Sequence, residues 1–396
     1  MRNILLYLRD IIFRGIYNLF RIFPLQNKIV TSANGGARYA DNPKFIVEAL
    51  LQMDPNVKVI WLKQGNIDDV PSRINLVDKH NPLRVLYTYA TSKVIITTDS
   101  FPLFIAKRTG QVLINTWHGG LGIKSMGDDR SVSANFYHRA RIKRGNSITD
   151  VCISNSNHLS NVYRHSFQYK GPIWKCGYPK NDMLFDNKES YRKIVRKKLG
   201  LLDNVKIFLY APTFRDYKGE DVNDMSYYDV DYKRLHETLT RKFSGEWIIL
   251  VKYHPSINCT KLPSKFECIA KNVTMYNDMQ ELIMGSDFLM SDYSSCIFDA
   301  ATMSLDCILY ANDYKKYKEE RGVYYGYDEL PFDYAFNNND LITSVLNYDR
   351  DNFIKRWQEF AKKMGLRETG HAGRDIAAKI LDVLNGKLVE WENTDL

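Results

Sequence analysis

A histidine within a glycine-rich segment is the first feature of this sequence that could carry chemistry. Trp117, His118, Gly119 and Gly120 directly follow an apolar run at residues 112–116 that predicts a strand. Glycine lets a backbone approach a ligand closely, and an imidazole accepts a proton from a hydroxyl near neutral pH. A histidine beside glycines is also common in purely structural turns. The segment alone therefore predicts either a general base or a structural turn.

A second histidine, His254, lies at the predicted carboxyl end of another strand. It follows residues 247–253, and Pro255 after it cannot continue the strand because proline has no backbone N–H. Parallel α/β sheets bind ligands beyond the carboxyl ends of their strands. An imidazole there either donates to a phosphate oxygen or supports the strand end, and the residues alone leave both interpretations open.

Two serines and an aspartate follow a further apolar run, at residues 288–290, and open a predicted helix. They are Asp292, Ser294 and Ser295. Hydroxyls and free backbone amides at a helix N-terminus form an anion site that needs no metal. The same residue types are preferred as ordinary helix caps, so the segment is compatible with either role.

Arg215 is the candidate for holding a phosphate through a side chain. It closes the segment Y-A-P-T-F-R, which follows a predicted strand at residues 205–209. A guanidinium binds a phosphate through two parallel hydrogen bonds because its planar fork matches two phosphate oxygens. The alternative is a surface ion pair with the adjacent Asp216.

Taken in order along the chain, these segments resemble the motifs of the CDP-glycerol glycerophosphotransferase family, which makes teichoic acids and related capsular polymers. The family pattern runs roughly W-H-G-T, G-Y-P-R-N-D, Y-A-P-T-F-R, K-x-H-P, S-D-Y-S-S-x-x-F-D and a closing segment with glycine and arginine. The corresponding stretches here are residues 117–120, 177–182, 210–215, 252–255, 291–299 and 370–374. Each motif is weak alone, and their ordered occurrence makes the resemblance specific.

The resemblance implies a GT-B-like α/β fold and a reaction in which an acceptor hydroxyl attacks the polyol-bearing phosphorus of CDP-glycerol, or of CDP-ribitol, and CMP leaves. The implied acceptor is a lipid-linked or capsular polyol-phosphate chain. His118 is implied as the general base and His254 as a second catalytic residue at the pyrophosphate. The implied substrate-binding residues are Trp117, Gly119, Gly120, Arg215, Asp292, Ser294, Ser295 and Arg374. No cofactor and no metal is implied.

This sequence departs from the family pattern in four places, one of which is the slightly irregular spacing around Arg374. Gly120 stands where the family usually has threonine, and Lys180 replaces arginine, which keeps the charge but not the planar fork. The usual Pro-Gly after residue 322 becomes Leu-Pro-Phe at residues 330–332. These departures bear on the identity of the polyol and the acceptor more than on the type of reaction.

Two other functions stay open at this point. Asp229 and Asp231 resemble the D-x-D metal site of nucleotide-sugar glycosyltransferases, although they follow a polar loop rather than a strand. Activity in EDTA separates that function from a metal-free one. A non-catalytic, membrane-bound partner of a polymer-assembly complex is the second alternative, and it would release no CMP.

Apolar runs that alternate with amphipathic stretches must position these segments, and they predict two Rossmann-like domains that face a cleft. We expect the first domain over residues 25–186, with the base, and the second over residues 187–396, with the CDP-polyol site. A charged helix at residues 187–201 joins them. Helices at residues 341–364 and 373–384 are predicted to close the second domain.

The first 24 residues predict an amphipathic helix. Its arginines gather on one side, and its apolar face consists of Ile4, Leu5, Leu8, Ile11, Ile12, Ile16, Leu19, Ile22 and Phe23. Such a pattern favours a helix in the interface of an anionic membrane, and packing on the protein's own core is the alternative. The expected location is the cytoplasmic face of the cell membrane, as a peripheral protein.

Charge and cysteine content limit the other classes of partner. The net charge of +9 over 396 residues attracts polyanions, but no nucleic-acid-binding motif accompanies it, so nucleic acid is not an expected partner. Six cysteines without a C-x-x-C pair favour reduced thiols in a cytosolic protein.

Overall fold

Two parallel sheets organise the chain, one from each half of the sequence. The computed structural model of the protein describes residues 2–130, 135–217, 219–254, 257, 262 and 264–394. Pro255 and the first two residues of a helix predicted at residues 133–143 lie outside these residues. The strands are β1 (Gln26–Thr31), β2 (Lys58–Lys63), β3 (Asn75–Asp78), β4 (Ser92–Thr97), β5 (Val112–Asn115), β6 (Val151–Ser154), β7 (Ile173–Lys175), β8 (Lys206–Ala211), β9 (Trp247–Val251), β10 (Ala270–Asn272), β11 (Phe288–Ser291), β12 (Asp306–Tyr310) and β13 (Asp333–Ala335).

Helices cover the faces of these sheets, as expected for parallel strands that must be buried on both sides. The helices are α1 (Arg2–Phe20), α2 (Asp41–Met53), α3 (Pro82–Thr91), α4 (Phe136–Ile148), α5 (Asn157–His165), α6 (Lys188–Leu199), α7 (Tyr232–Phe243), α8 (Met279–Gly285), α9 (Cys296–Thr302), α10 (Tyr314–Glu320), α11 (Asn338–Leu346), α12 (Arg350–Lys363) and α13 (Ala372–Leu384).

The order of the strands creates one crevice in each sheet. In the described residues the first sheet runs β3-β2-β1-β4-β5-β6-β7 and the second β10-β9-β8-β11-β12-β13. In each sheet the chain first builds outward on one side of a central strand and then returns to the other side, between β1 and β4 and between β8 and β11. Ligands of open α/β sheets bind beyond the carboxyl ends of strands at such switch points. The motif loops after β8 and β11 therefore lie side by side.

The end of the chain corrects the predicted domain boundary. Helix α13 was expected to close the second domain, but Ile376, Ala377 and Ile380 pack in the core of the first domain with α2. The carboxylate of Asp182 accepts from the backbone N–H groups of Ala372 at 2.9 Å and Gly373 at 2.7 Å, and so caps this helix. The second domain thus ends near α12, and the chain crosses back.

The single helix predicted at residues 341–364 is two helices, α11 and α12. Asp349 breaks the pattern, because its side chain caps α12 by accepting from the backbone N–H of Asn352 at 3.1 Å. Periodicity alone missed the break because apolar residues on both sides continue at helical spacing.

Helix α1 combines the two alternatives that the sequence left open, because one side packs on the core of the first domain and the other side is exposed. Phe13, Ile16, Tyr17 and Phe20 lie in or against a small core of the first domain, where Tyr17 is fully buried. The other residues of the predicted apolar face are exposed, on α1 at Ile4, Leu5, Leu8, Ile11, Ile12 and Leu19, and beyond its end at Ile22 and Phe23. One predicted member of that face, Ile16, packs inward instead. No helix in the described residues is long and apolar enough to cross a membrane.

Candidate functional site

A pocket of about 160 Å³ lies where the loops after β8, β9 and β11 meet a loop from the first domain. Its lining combines three basic side chains with hydroxyls, apolar groups and backbone, namely Lys124, Ala211, Pro212, Thr213, Lys252, Tyr253, His254, Met279, Ser294 and Cys296. The hydroxyl of Thr213 is buried and has no hydrogen-bond partner among the described residues. A buried polar group of this kind is satisfied when a ligand or water fills the pocket.

His118 lies in the first domain beyond the carboxyl end of β5, with an exposed side chain. Its Nδ1 lies 2.9 Å from the backbone carbonyl oxygen of Thr98. Because a carbonyl only accepts, Nδ1 carries the proton in the neutral ring and Nε2 keeps its lone pair. This tautomer suits a general base.

The backbone before His118 is held in an uncommon conformation. Trp117 has a φ of 52°, in the left-handed region that residues other than glycine rarely adopt. The buried amide of Asn42 donates to the carbonyl oxygen of Trp117 at 3.1 Å and fixes the turn from α2. The indole of Trp117 stacks on the His118 ring with centroids 4.6 Å apart, and its N–H is buried without a partner in the described residues. Strain of this kind is typical of functional turns.

The two glycines after His118 have different reasons to lack a side chain. A Cβ on Gly119 would lie 3.4 Å from the hydroxyl oxygen of Ser295, so this is where the two domains approach each other. A Cβ on Gly120 would lie 2.4 Å from the amide nitrogen of Asn155. Asn155 is 2% exposed and donates to Glu368 at 2.7 Å. Here an asparagine side chain takes the space beside Gly120, which accounts for the missing threonine.

The two serines are only weakly engaged in capping helix α9. Ser295 is the residue before α9, and its side chain makes no capping hydrogen bond. Ser294 accepts weakly from the backbone N–H of Cys296 at 3.4 Å and lines the pocket. Both hydroxyls therefore remain near the cleft rather than being fully used as caps.

His254 lines the same pocket from the end of β9, with its ring stacked on Phe214 at a centroid distance of 4.5 Å. Burial, and then the charges of Lys124 and Arg38, together lower the pKa of His254 to about 4. The ring is therefore neutral at pH 7, and it can donate a hydrogen bond without adding a charge.

Sequence reasoning missed the lysines of this pocket. Lys252 belongs to the K-x-H-P motif, which by itself assigns the lysine no role, and burial lowers its pKa to about 7. Lys124 comes from the first domain and reaches the pocket because the backbone around it forms an antiparallel bridge with Val323 of the second. Burial also lowers the pKa of Lys124. No local pattern marks Lys124, since its bridge partner Val323 lies 199 residues further along the chain.

Arg215 does not reach the pocket with its guanidinium. The side chain is 2% exposed, donates to Asp313 at 2.7 and 2.9 Å, and donates to Asp292 at 2.6 Å. Asp292 in turn accepts from the backbone N–H of Thr213 at 2.9 Å. This arrangement corrects the expected phosphate clamp: the arginine and both aspartates brace the loops that form the pocket, and neither Arg215 nor Asp292 is among the residues that line it.

Comparison with known proteins shows the family of this chain. Residues 16–382 match the model of the CDP-Glycerol:Poly(glycerophosphate) glycerophosphotransferase family. The chain belongs to this family.

Two relatives of this glycerophosphotransferase are each named teichoic acid poly(glycerol phosphate) polymerase. The one from Staphylococcus epidermidis is 29% identical over 81% of this chain but only 46% of its own length. The one from Bacillus spizizenii is 25% identical over 96% of this chain and 98% of its own length. The chain thus spans about half of the first relative and nearly all of the second.

A solved structure of the wall teichoic acid polymerase TagF is 25% identical to this chain, covers 98% of both chains and superimposes with a TM-score of 0.82. The resemblance drawn from the motifs and the predicted α/β fold of two Rossmann-like domains are both confirmed.

The family motif at residues 177–182 joins the two domains of this glycerophosphotransferase family member. Tyr178 donates to the carbonyl oxygen of Gly119 at 2.9 Å and so holds the histidine loop. Lys180 and Asn181 donate to the buried carboxylate of Asp299 at 2.9 and 3.0 Å. Lys180 therefore forms its ion pair without the arginine fork that the family usually has. Burial raises the pKa of Glu368, beside Asn181, to about 7.

Arg374 and the D-x-D segment lie apart from the pocket lining. Arg374 is exposed in the first turn of α13, and it is not among the pocket residues. Asp231 caps α7 by accepting from the backbone N–H of Arg234 at 3.1 Å, and Asp229 accepts from Asn338 at 3.4 Å. Both aspartates thus have structural partners.

Proposed function

We propose that this chain transfers glycerol phosphate from CDP-glycerol to a hydroxyl of a teichoic-acid-like or capsular polymer and releases CMP, with CDP-ribitol as the alternative donor. The single observation that carries the proposal is the tautomer and position of His118. Its proton lies on Nδ1, and the adjacent Gly119 meets Ser295 of the second domain beside a cationic pocket. A base that faces an anion site across a cleft suits phosphoryl transfer.

In the proposed reaction an acceptor hydroxyl attacks the donor and CMP leaves. The acceptor oxygen bonds to the glycerol-bearing phosphorus, and its proton passes to Nε2 of His118. The bond from that phosphorus to the bridging oxygen breaks, and CMP leaves with the electron pair on its phosphate oxygen. Preorganised donors and cations at that oxygen stabilise the transition state.

Each pocket residue has a distinct role in this proposal. Lys124 and Lys252 offset the charge of the pyrophosphate, while the neutral ring of His254 donates one hydrogen bond. Ser294 and Ser295 add hydroxyl donors. The remaining contributors are the indole N–H of Trp117, which has no partner among the described residues, the backbone of Gly119 and Gly120, and the bracing pair of Arg215 and Asp292. Arg374 is exposed on α13 outside this pocket and has no role in this proposal.

The direct test is CMP release from CDP-glycerol and from CDP-ribitol, with and without a polyol-phosphate acceptor, and with and without EDTA. We expect acceptor-dependent release that EDTA leaves unchanged. Loss of activity in EDTA that magnesium or manganese restores would favour a metal-dependent glycosyltransferase. Absence of CMP release with either donor would favour a non-catalytic binding partner.

Lys124 offers a sharp test of the donor pocket. We expect Lys124→Met and His254→Ala each to raise the KM for CDP-glycerol at least about tenfold, because each removes a hydrogen bond or charge from a phosphate. Lys193→Met is the matched control, since Lys193 is exposed on α6 and lies outside the pocket. An unchanged KM in both pocket variants, with normal thermal melts, would contradict the assignment.

We also propose that the chain is a peripheral protein at the cytoplasmic face of the cell membrane, held by the exposed face of α1. Removal of the whole helix would uncover the core around Tyr17, so surface substitutions are the better test. We expect Ile12→Ser with Leu19→Ser to weaken binding to anionic vesicles at least about tenfold, since each exposed apolar side chain contributes of the order of 1 kcal/mol or more. The melting temperature should not change. Unchanged vesicle binding would show that α1 serves packing alone.

A further inference from the structure

A second pocket, of about 360 Å³, lies between α1 and α4 and shares no lining residue with the donor pocket. Helix α1 contributes positions 7, 10, 11 and 14, and α4 contributes positions 140, 143, 144 and 147. Both sets have the spacing of a single helical face, so the two helices form the walls of a groove. Leu103 adds to its apolar lining.

Three cations converge on this groove without a counter-ion. In the part of the chain that the structure describes, Arg14, Lys143 and Arg144 form no ion pair. Arg144 donates to the carbonyl oxygen of Ile105 at 3.2 Å, but its buried Nε has no partner in that part of the chain. Burial, and then the like charge of Arg14, lower the pKa of Arg144. Like charges held together in this way suit an anionic ligand.

The carboxylate that lines the groove is already neutralised. Asp10 is 2% exposed, pairs with Arg9 at 2.7 Å and accepts from the hydroxyl of Tyr137 at 2.9 Å. Asp10 therefore pairs with Arg9 and, in the described residues, forms no ion pair with the three cations of the groove.

The groove is also continuous with the exposed apolar face of α1. Ile11 lines the pocket and is half exposed, and its neighbours Leu8 and Ile12 are exposed as well. A ligand that combines an anionic head with an apolar tail matches this pairing of cations and aliphatic surface, whereas a free phosphate would leave the apolar wall unused.

We propose that this groove binds one anionic phospholipid, with its phosphate on Arg14, Lys143 and Arg144 and an acyl chain along Ile11. This inference rests on the proposed peripheral membrane location and goes beyond it. A site that takes one lipid phosphate would set the depth and rotation of α1 at the membrane surface. An apolar face alone does not set either of them.

The test uses short-chain dihexanoyl phosphatidylglycerol below its micelle concentration, so that no membrane surface exists, with binding measured by calorimetry on the full chain. We expect saturable 1:1 binding to the wild type. Arg14→Gln with Arg144→Gln should weaken it at least about tenfold, since charge-assisted hydrogen bonds are lost. The matched control is Arg21→Gln with Arg139→Gln, which removes the same charge from the same two segments outside the groove and should change binding less than about twofold.

Two further probes identify the part of the ligand that is recognised. Dihexanoyl phosphatidylcholine should bind more weakly, and glycerol 1-phosphate, which lacks the acyl chains, should bind weakly or not at all. Equal binding of glycerol 1-phosphate would overturn the lipid assignment, and so would equal loss in the control variant or unchanged binding in a folded groove variant. CMP release on a soluble acceptor is measured separately, so that failure of the transferase proposal is not confused with failure of the lipid site.

Discussion

Replacement of His118 by asparagine is expected to slow CMP release at least about a hundredfold while the protein stays folded, the usual scale for loss of acid–base catalysis. An asparagine side chain can still donate to the carbonyl oxygen of Thr98, which His118 contacts at 2.9 Å. The turn is thus preserved, and only the basic Nε2 is lost. The effect should fall on kcat, because the donor pocket does not include this side chain.

Single-turnover CMP release from CDP-glycerol, at saturating acceptor, measures this effect. His165→Asn is the matched control, since His165 is exposed at the end of α5 and lines neither pocket. Near-normal release from a folded His118→Asn protein would exclude His118 as the base.

The second large effect is expected on stability. Arg215→Met should lower the free energy of unfolding by about 3–5 kcal/mol, because it leaves the carboxylates of Asp292 and Asp313 buried without a cation. Urea unfolding followed by the fluorescence of tryptophans in the second domain measures the change. Arg374→Met removes an exposed arginine and should stay within about 0.5 kcal/mol of the wild type.

A double variant separates the bracing role of Arg215 from a phosphate clamp. Arg215→Met with Asp313→Asn should recover part of the lost stability, because one of the two unpaired charges is removed. A stable Arg215→Met protein with a raised KM for CDP-glycerol would instead restore the clamp that the sequence suggested.

Much of the fold could be predicted because parallel strands, buried on both faces, appear in the sequence as short apolar runs. The apolar runs at residues 151–154 and 173–175, for example, are the strands β6 and β7. The edge strands β3 and β13 were missed, since Asn75 and Asp333 place polar residues within them. Edge strands have one neighbour only, and they tolerate such residues.

The motif order likewise determined the family and brought His118, His254 and the serine pair to notice, because each follows a strand whose end can be read locally. Only the tertiary structure decided which of these side chains face the cleft. Arg215 is buried in ion pairs with Asp292 and Asp313. These partners lie 77 and 98 residues further along the chain, so the local sequence does not indicate the pairing. Lys124 enters the pocket through a bridge to Val323, and Asn155 fills the space beside Gly120. Local sequence determines which segments become strands and turns, whereas charge pairing and close packing depend on residues that only folding brings together.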